Sequence, residues 1–447
     1  MFNSQTRNRF DSGETDAMDD KWARRFLFTS LMLWSLIDSP VKAQESFEGP
    51  PIEYSKAVPS NPVSLLQERL VRGEAVLKHD ASSGYLRSVL QELHVPISSQ
   101  SLVFSKTSLQ LRRISPETPR ALYFNDSVYL GFCQAGDVLE LSVADPVLGT
   151  VFYTLDQNQS SGIPQFERQT DNCLVCHSSS RTDGVPGHLI RSLMVESSGQ
   201  PVLSAGSRNV NHTTPLEERW GGWYVTGLHG SQTHLGNLIV SRDAVPDPIE
   251  NAQGMNQTSL EDRFRVDRYL TPHSDIVALM VLEHQVFVHN RITRAIFTTR
   301  EALHYEAALN EALKNPPGTR LESTTRRIQN AGDRLVEALL FSGEAKILAP
   351  ISGTSGFAAQ FSASGPRDSQ GRSLRDLDMT ARMFRFPCSY LIYSDSFRTL
   401  PREMQSYVWN RIRDVLAGND TSGKFAHLSP EDRQAITEIL QQTTEEM

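Results

Sequence analysis

Residues 173–177 read Cys-Leu-Val-Cys-His, and this pentapeptide constrains the chain more than any other segment. Two thiols three positions apart, followed at once by a histidine, form the pattern to which c-type haem is covalently attached. In a helical turn both sulfurs lie on one side, within reach of the two vinyl groups of a porphyrin, and the next imidazole falls below the ring. The motif therefore predicts one covalent haem c, held by Cys173 and Cys176, with His177 as the proximal iron ligand.

Two other uses of paired cysteines stay open. Half of a zinc site would need a second Cys or His pair at short spacing, and the remaining cysteines, Cys133 and Cys388, stand alone. A thioredoxin-like dithiol would follow a strand of a βαβ unit, which the sequence before residue 173 does not predict. Cys133 and Cys388 could form a disulfide in an oxidising compartment, and the sequence leaves that bond undecided.

The amino terminus has the organisation of a secretory signal peptide. A basic segment at residues 21–25 precedes an apolar run at residues 26–37, and the small-residue signal Val-Lys-Ala ends at Ala43. That order is typical of an export signal, and the run is shorter than the ~20 residues of a spanning helix. We expect translation to begin at the first residue or at Met18, and residues 1–43 to be removed on export. The mature protein is then expected to be periplasmic or otherwise extracytoplasmic, with no transmembrane segment.

The composition excludes several classes of protein. The 44 basic and 52 acidic residues give a net charge of −8, with no basic block among them. A mildly acidic chain is a poor nucleic-acid binder because phosphate backbones repel it. With 39% apolar and 21% charged residues the chain has an ordinary globular composition, which excludes collagen-like, coiled-coil and wholly disordered proteins.

The patterning predicts an α+β fold, with a β-rich, haem-bearing amino half followed by a mainly helical carboxyl half. Alternating strands with a turn at residues 125–126 predict a β-meander over residues 102–154. Helical periodicity predicts a long helix at residues 275–298, and a Ser429 cap before Pro430 predicts the start of the last helix. The expected regions are a signal peptide (1–43), short helices and a loose terminus (44–100), a β-rich region with the haem motif (101–245), a connector (246–274) and a mainly helical region (275–447).

Four segments carry a resemblance to a known family: RALYFND at 120–126, CLVCH at 173–177, RWGGWYVTG at 219–227 and PCSYLIY at 387–393. On these residues the chain resembles the c-type cytochromes, and it is most similar to exported bacterial proteins known only as cytochrome c domain-containing. The resemblance covers roughly residues 100–440. It implies a haem-binding protein that carries electrons, without a defined reaction.

The groups that would complete a haem site are less sharply indicated. His229 and His234 lie beside glycines, which let the backbone approach a flat ring closely. We expect one of His212, His229 and His234 to be the distal iron ligand or to line the distal pocket. Arg181 and Arg191 are close in sequence to the motif and are candidates to bind haem propionates, since a guanidinium forks onto a carboxylate. Ordinary roles, as turn histidines and surface arginines, also fit these residues.

Three functions are compatible with one attachment motif. An electron carrier would keep a six-coordinate, low-spin iron, a haem enzyme of the peroxidase or oxidase type would keep an open distal position, and a sensor would bind a gas at the iron. No Ser-His-Asp arrangement, phosphate-binding glycine loop or HExxH motif is apparent. The sequence favours an electron carrier that acts with redox protein partners, and the haem enzyme is the alternative.

Overall fold

An antiparallel sheet forms the centre of the amino half. A computed structural model describes the protein over residues 46–158, 162–241 and 249–447. The strands of this half are, in chain order, β1 (Ser101–Val103), β2 (Arg120–Phe124), β3 (Val128–Phe132), β4 (Val138–Asp145), β5 (Gly149–Asp156), β6 (Phe166–Gln169), β7 (Arg191–Leu193), β8 (Ser207–Asn209), β9 (Trp223–Tyr224) and β10 (Gly227–Leu228). The sheet has the order β6-β5-β4-β3-β2-β1-β9, and neighbouring strands are antiparallel.

Short polar side chains make the turns of this sheet. Between β2 and β3 the side chain of Asn125 accepts the backbone N–H groups of Ser127 and Val128, at 3.0 and 2.9 Å. At the end of β4 the side chain of Asp145 accepts two following backbone N–H groups in the same way, each at 3.0 Å. Turns of this kind pre-form a hairpin, and the β-meander predicted from the sequence is confirmed.

The sheet has one apolar face and one mixed face, because successive side chains of a strand point to opposite sides. In β4 the buried apolar residues alternate with Glu140 and Ser142. The register pairs Glu140 with Gly131 on β3, and Ser142 with Phe152 on β5. The mixed face is the one that the Cys-Leu-Val-Cys-His segment contacts.

The carboxyl half is mainly helical, so the predicted α+β class, with a β-rich amino half, is confirmed. The helices of the described chain are α1 (Pro62–Val71), α2 (Leu86–Glu92), α3 (Leu174–His177), α4 (Ile276–Leu313), α5 (Glu322–Leu339), α6 (Phe357–Ala363), α7 (Asp395–Arg398), α8 (Arg402–Leu416) and α9 (Pro430–Thr443). Helix α5 packs against α4 and α8. A short strand, β11 (Ser352–Gly353), pairs with β10 and joins the two halves.

Helix α4 passes through the core. The side chain of Asp275 caps it by accepting the backbone N–H groups of Val277 and Ala278, at 2.8 and 3.2 Å. Most residues of its first six turns are buried on every side, as in a helix enclosed by other elements. The sequence predicted an end near residue 298, but the helix continues to Leu313. Its last turns, from about residue 303, are mainly exposed and are rich in Ala, Glu and Leu, which favour a helix without help from burial.

Residues Phe47–Met447 form one compact unit. In the described ranges, no helix combines the length and the hydropathy that crossing a membrane requires. The predicted signal peptide, residues 1–43, lies outside the described residues, and so do residues 242–248, which span the boundary between the predicted β-rich region and the predicted connector.

Candidate haem-attachment site

The attachment motif, residues 173–177, forms a single helical turn. Cys173 directly precedes α3, and its carbonyl oxygen accepts the backbone N–H groups of Cys176 at 3.3 Å and His177 at 3.0 Å. The side chain of Leu174 is buried and anchors the turn, whereas Val175 is 79% exposed. Cys173 is half-buried, Cys176 is exposed, and both are free thiols. The turn therefore presents two thiols and an imidazole close to the protein surface.

The backbone fixes the orientation of the His177 imidazole. Its Nδ1 lies 2.9 Å from the carbonyl oxygen of Gly187, and the Gly187 N–H donates back to the His177 carbonyl at 2.8 Å. A carbonyl oxygen only accepts hydrogen bonds, so Nδ1 carries the proton and Nε2 carries the lone pair. Nε2 makes no hydrogen bond to any residue that the structure describes. Metal-binding histidines are held in this way, with one ring nitrogen bonded to a backbone carbonyl and the other directed to the metal.

Apolar packing keeps this imidazole neutral. The His177 ring lies 4.9 Å, between centroids, from the ring of Phe152 on the mixed face of the sheet. Burial lowers the pKa of His177 below its ordinary value. The neutral imidazole is the form that binds a metal, so the folded chain holds His177 ready as a ligand.

An ion pair from the sheet lies beside the motif. Nη2 of Arg120 is 2.5 Å from Oε2 of Glu140, and the two side chains are 18% and 12% exposed. Both charges act on the Cys173 thiol and on the His177 imidazole. Gly131 leaves room for this pair, because a Cβ at that position would overlap the Arg120 guanidinium. The sheet therefore places a compensated pair of charges, and not a single charge, next to the attachment turn.

The thiol of Cys173 is not activated for redox exchange. Burial raises its pKa to about 11, and the negative charge of Glu140 adds to this effect. A reactive dithiol needs a cysteine whose pKa is lowered by positive charge or by a helix terminus. The electrostatics of the motif therefore disfavour the thioredoxin-like alternative. The disulfide considered between Cys133 and Cys388 is not formed, since both are free and buried.

Arg181 and Arg191 lie together near Cys176. Arg181 is exposed and donates to Asn209 Oδ1 at 3.4 Å. Arg191 is half-buried and donates to Ser207 Oγ at 2.6 Å, while its Nε is buried without a hydrogen-bond partner. Burial lowers the pKa of Arg191, Arg181 lowers it further, and Cys176 opposes this shift. Neither arginine pairs with a carboxylate in the described part of the chain, so their positive charge is uncompensated beside the motif.

His188 was not singled out from the sequence, although it lies behind the motif. Its side chain is 3% exposed, its Nδ1 is 3.1 Å from Ser142 Oγ, and its ring packs 4.1 Å from that of Tyr129. Its Nε2 is buried without a hydrogen-bond partner. Burial lowers the pKa of His188 far below its ordinary value, and His177 contributes. No local signal in the sequence could have found it, because its contacts come from residues distant in the chain.

The three histidines considered as distal groups lie in two other clusters. Nδ1 of His212 is 2.9 Å from Nδ1 of His284, and both residues are fully buried. The rings of His229 and His234 are 4.8 Å apart. No hydrogen bond or ring contact joins any of the three to His177 within the described ranges. The structure thus brings Arg181 and Arg191 to the motif, and within the described ranges it shows no contact between these histidines and His177.

Comparisons of the chain with models of protein families, with curated proteins and with solved structures found no match. Outside the undescribed segments, no group of three or more His, Cys, Asp or Glu side chains is arranged to hold a metal ion. The resemblance to the c-type cytochromes and the attachment of haem therefore stay predictions, which depend on the motif and its surroundings.

Proposed function

We propose that the chain is an exported monohaem c-type cytochrome that transfers electrons, with haem attached through Cys173 and Cys176 and iron bound by His177. The observation that carries the proposal is the 2.9 Å contact between His177 Nδ1 and the Gly187 carbonyl oxygen. It leaves Nε2 of a neutral imidazole unpaired on the same turn as two free thiols. These are the protein groups that covalent haem attachment requires.

The surroundings of the motif fit the other parts of a haem. The Phe152 ring gives His177 an apolar neighbour. The uncompensated guanidiniums of Arg181 and Arg191 suit the propionates, whose carboxylates would give the buried Nε of Arg191 an acceptor. Such pairing would also reduce the repulsion between the two arginines.

In this site the protein would attach and orient the cofactor. A haem bound there would supply one-electron redox chemistry. The thiols of Cys173 and Cys176 would each add their S and H across one vinyl group, which leaves two thioether bonds and no by-product. His177 would bind iron through Nε2, and the Gly187 carbonyl keeps the proton on Nδ1 and raises the basicity of the ligand.

The position of the turn favours a carrier over an enzyme. Val175 is 79% exposed and Cys176 is exposed, so a redox protein could approach the attachment turn directly. The net charge of −8 favours a basic partner, since complementary charge accelerates encounter.

Expression in a host that matures c-type haem tests the attachment. We expect the periplasmic protein to keep one haem after denaturation and to give the pyridine haemochrome bands of two thioethers. Cys173→Ala and Cys176→Ala should each give the bands of a single thioether, with weaker retention of haem. Cys133→Ala and Cys388→Ala are the matched controls, because both are buried thiols outside the motif, and should keep the native bands. A colourless native protein, or zinc in place of haem, would refute the proposal.

An EPR spectrum separates the carrier from the haem enzyme of peroxidase or oxidase type. A carrier should be low-spin in the ferric state, because both axial positions are filled. A high-spin ferric signal that changes with peroxide or cyanide would favour the enzyme. In the low-spin case, single Ala variants of His212, His229 and His234 test the candidates for the sixth ligand. Replacement of the true ligand would convert the signal to high-spin.

A further inference from the structure

A pocket lies apart from the attachment motif, and no residue of the motif lines it. It is bounded by α2, by the turn after β2 and by α6, and its volume is about 700 Å³. Small-molecule sites have volumes of about 300–1,000 Å³. Much of its wall is apolar and aromatic, formed by Leu90, Leu93, Val95, Phe124, Phe357 and Phe361.

A guanidinium with unused donors is buried in this wall. Arg375 is 7% exposed, and its Nη2 donates to the carboxylate of Asp126. The guanidinium lies over the rings of Tyr390 and Phe361, 4.3 and 4.7 Å from their centroids. Its Nε is buried without a partner, and its Nη1 makes no hydrogen bond to the described residues. Unpaired donors on a buried cation are unfavourable unless an acceptor is supplied.

Gly365 lies against the edge of this guanidinium. Its φ is +83°, and a Cβ at this position would lie 2.8 Å from Arg375 Nε. Gly365 itself lines the pocket, so backbone without a side chain borders the unpaired donors. Arg398 also lines the pocket, but its guanidinium is 3.6 Å from the Asp395 carboxylate. The donors left for a ligand are therefore those of Arg375, which pairs with Asp126 through Nη2 alone.

Gln285 forms the floor of the pocket, and its side-chain amide is held by hydrogen bonds within the protein. Nε2 of Gln285 donates to the Tyr129 hydroxyl and to the Asn125 carbonyl, each at 2.7 Å. The Tyr390 hydroxyl donates to Gln285 Oε1 at 2.6 Å. Because these partners satisfy Gln285, the floor does not compete for a ligand's polar group, and Arg375 is left to bind it.

We propose that this pocket binds a small apolar monocarboxylate, either aliphatic or aromatic. Its carboxylate accepts hydrogen bonds from the Arg375 guanidinium, and its apolar body packs against Phe357 and Phe361. A guanidinium matches a carboxylate in geometry and charge. An alcohol of the same shape does not match the guanidinium in this way. The proposal is independent of haem attachment.

Calorimetric titration of the purified full chain tests the class of ligand. Octanoate and benzoate are the probes, and 1-octanol and benzyl alcohol are their uncharged counterparts. We expect at least one acid to bind with a Kd below about 1 mM, and its alcohol to bind at least about tenfold more weakly. The acid that binds more tightly identifies the ligand as aliphatic or aromatic. No binding of either acid at millimolar concentration, or equal binding of acid and alcohol, would overturn the proposal.

Two variants test the position of the site. Arg375→Gln should weaken binding of the acid by about tenfold or more, while Arg265→Gln, which changes an exposed arginine outside the pocket, should bind as the native protein does. Ser364 is exposed and lines the pocket, so Ser364→Trp should fill it and abolish binding. If Arg375→Gln does not fold, Ser364→Trp decides. Native affinity in a folded Arg375→Gln or in Ser364→Trp would overturn the proposal.

Discussion

Replacing Glu283 by Gln is expected to destabilise the protein strongly, because it breaks a buried ion pair on one side. The side chains of Arg219 and Glu283 are 2% and 0% exposed, and Arg219 Nη1 is 3.0 Å from Glu283 Oε2. The other carboxylate oxygen accepts the indole N–H of Trp220. Gln keeps the size of the side chain and one acceptor oxygen for Trp220, so the substitution removes the negative charge and turns a donor NH2 toward Arg219.

The geometry gives the size of this effect. Two unit charges 3.0 Å apart attract by about 5.5 kcal/mol at an effective dielectric constant of about 20. Arg219 keeps its hydrogen bonds to the carbonyl oxygens of Thr214 and His212, at 2.7 and 3.3 Å, which offsets part of the loss. Burial of the carboxylate is itself unfavourable, and it raises the pKa of Glu283 against the effect of Arg219. Since breaking a buried pair costs about 3–5 kcal/mol, we expect the free energy of unfolding to fall by about 3 kcal/mol.

Burial raises the pKa of Glu283 to about 7, so urea unfolding is measured at about pH 8.5, where the carboxylate is ionised, and is followed by tryptophan fluorescence. Asp267→Asn is the control, because its partner Arg265 and Asp267 itself are 69% and 63% exposed, and no measurable change is expected. The double variant Arg219→Met, Glu283→Leu should recover part of the stability, since an apolar pair leaves no unpaired charge. Recovery is incomplete because the buried Trp220 N–H and two backbone carbonyl oxygens lose their partners. A Glu283→Gln protein as stable as the native one would mean that the carboxylate is already neutral, and the reasoning would be wrong.

Three further predictions concern stability. Burial lowers the pKa of His212 and of His234 to about 3, so the unfolded chain binds protons first as the pH falls. Their contribution to stability should be complete above about pH 6.5 and should be lost as the pH falls toward about 3, and urea midpoints that stay constant on acidification would contradict this. Leu279 is fully buried in α4, and Leu279→Ala should cost about 2–5 kcal/mol, seen as a lower Tm in calorimetry. Ser429→Ala removes the cap in which Ser429 Oγ accepts the Asp432 N–H at 3.1 Å; urea unfolding should show a loss of about 1 kcal/mol.

Features that depend on neighbouring residues could be predicted from the sequence. The attachment motif lies within one turn, Asn125 bonds to the backbone of its own hairpin, and Ser429 caps the helix that it precedes. Each of these signals is contained in a few consecutive residues. The extent of α4 beyond residue 298 was not predicted, because the pattern of buried apolar residues fades there while helix propensity continues.

The surroundings of the motif could not be predicted, because residues distant in the sequence create them. The backbone of His188 is held by Asn290, 102 positions away, and its imidazole contacts Ser142, 46 positions away. A histidine next to glycines gives no information about such partners. His229 and His234 are candidates for a distal ligand because glycines lie beside them in the sequence, whereas tertiary packing sets the contacts that these histidines make.

Helix α4 connects the attachment site to the pocket that Arg375 lines through three polar side chains. Gln285 lines the pocket, and one turn later His289 Nε2 lies 2.8 Å from the carbonyl oxygen of Asp126, another lining residue. The next residue, Asn290, accepts the His188 N–H and donates to the His188 carbonyl, both at 2.9 Å. Leucine or valine at these positions would bury apolar area without any need for polar partners. Because a buried polar side chain is unfavourable unless it is bonded, these contacts fix α4 in register against the sheet, and the same two turns of helix position the floor of the pocket and the back of the attachment site.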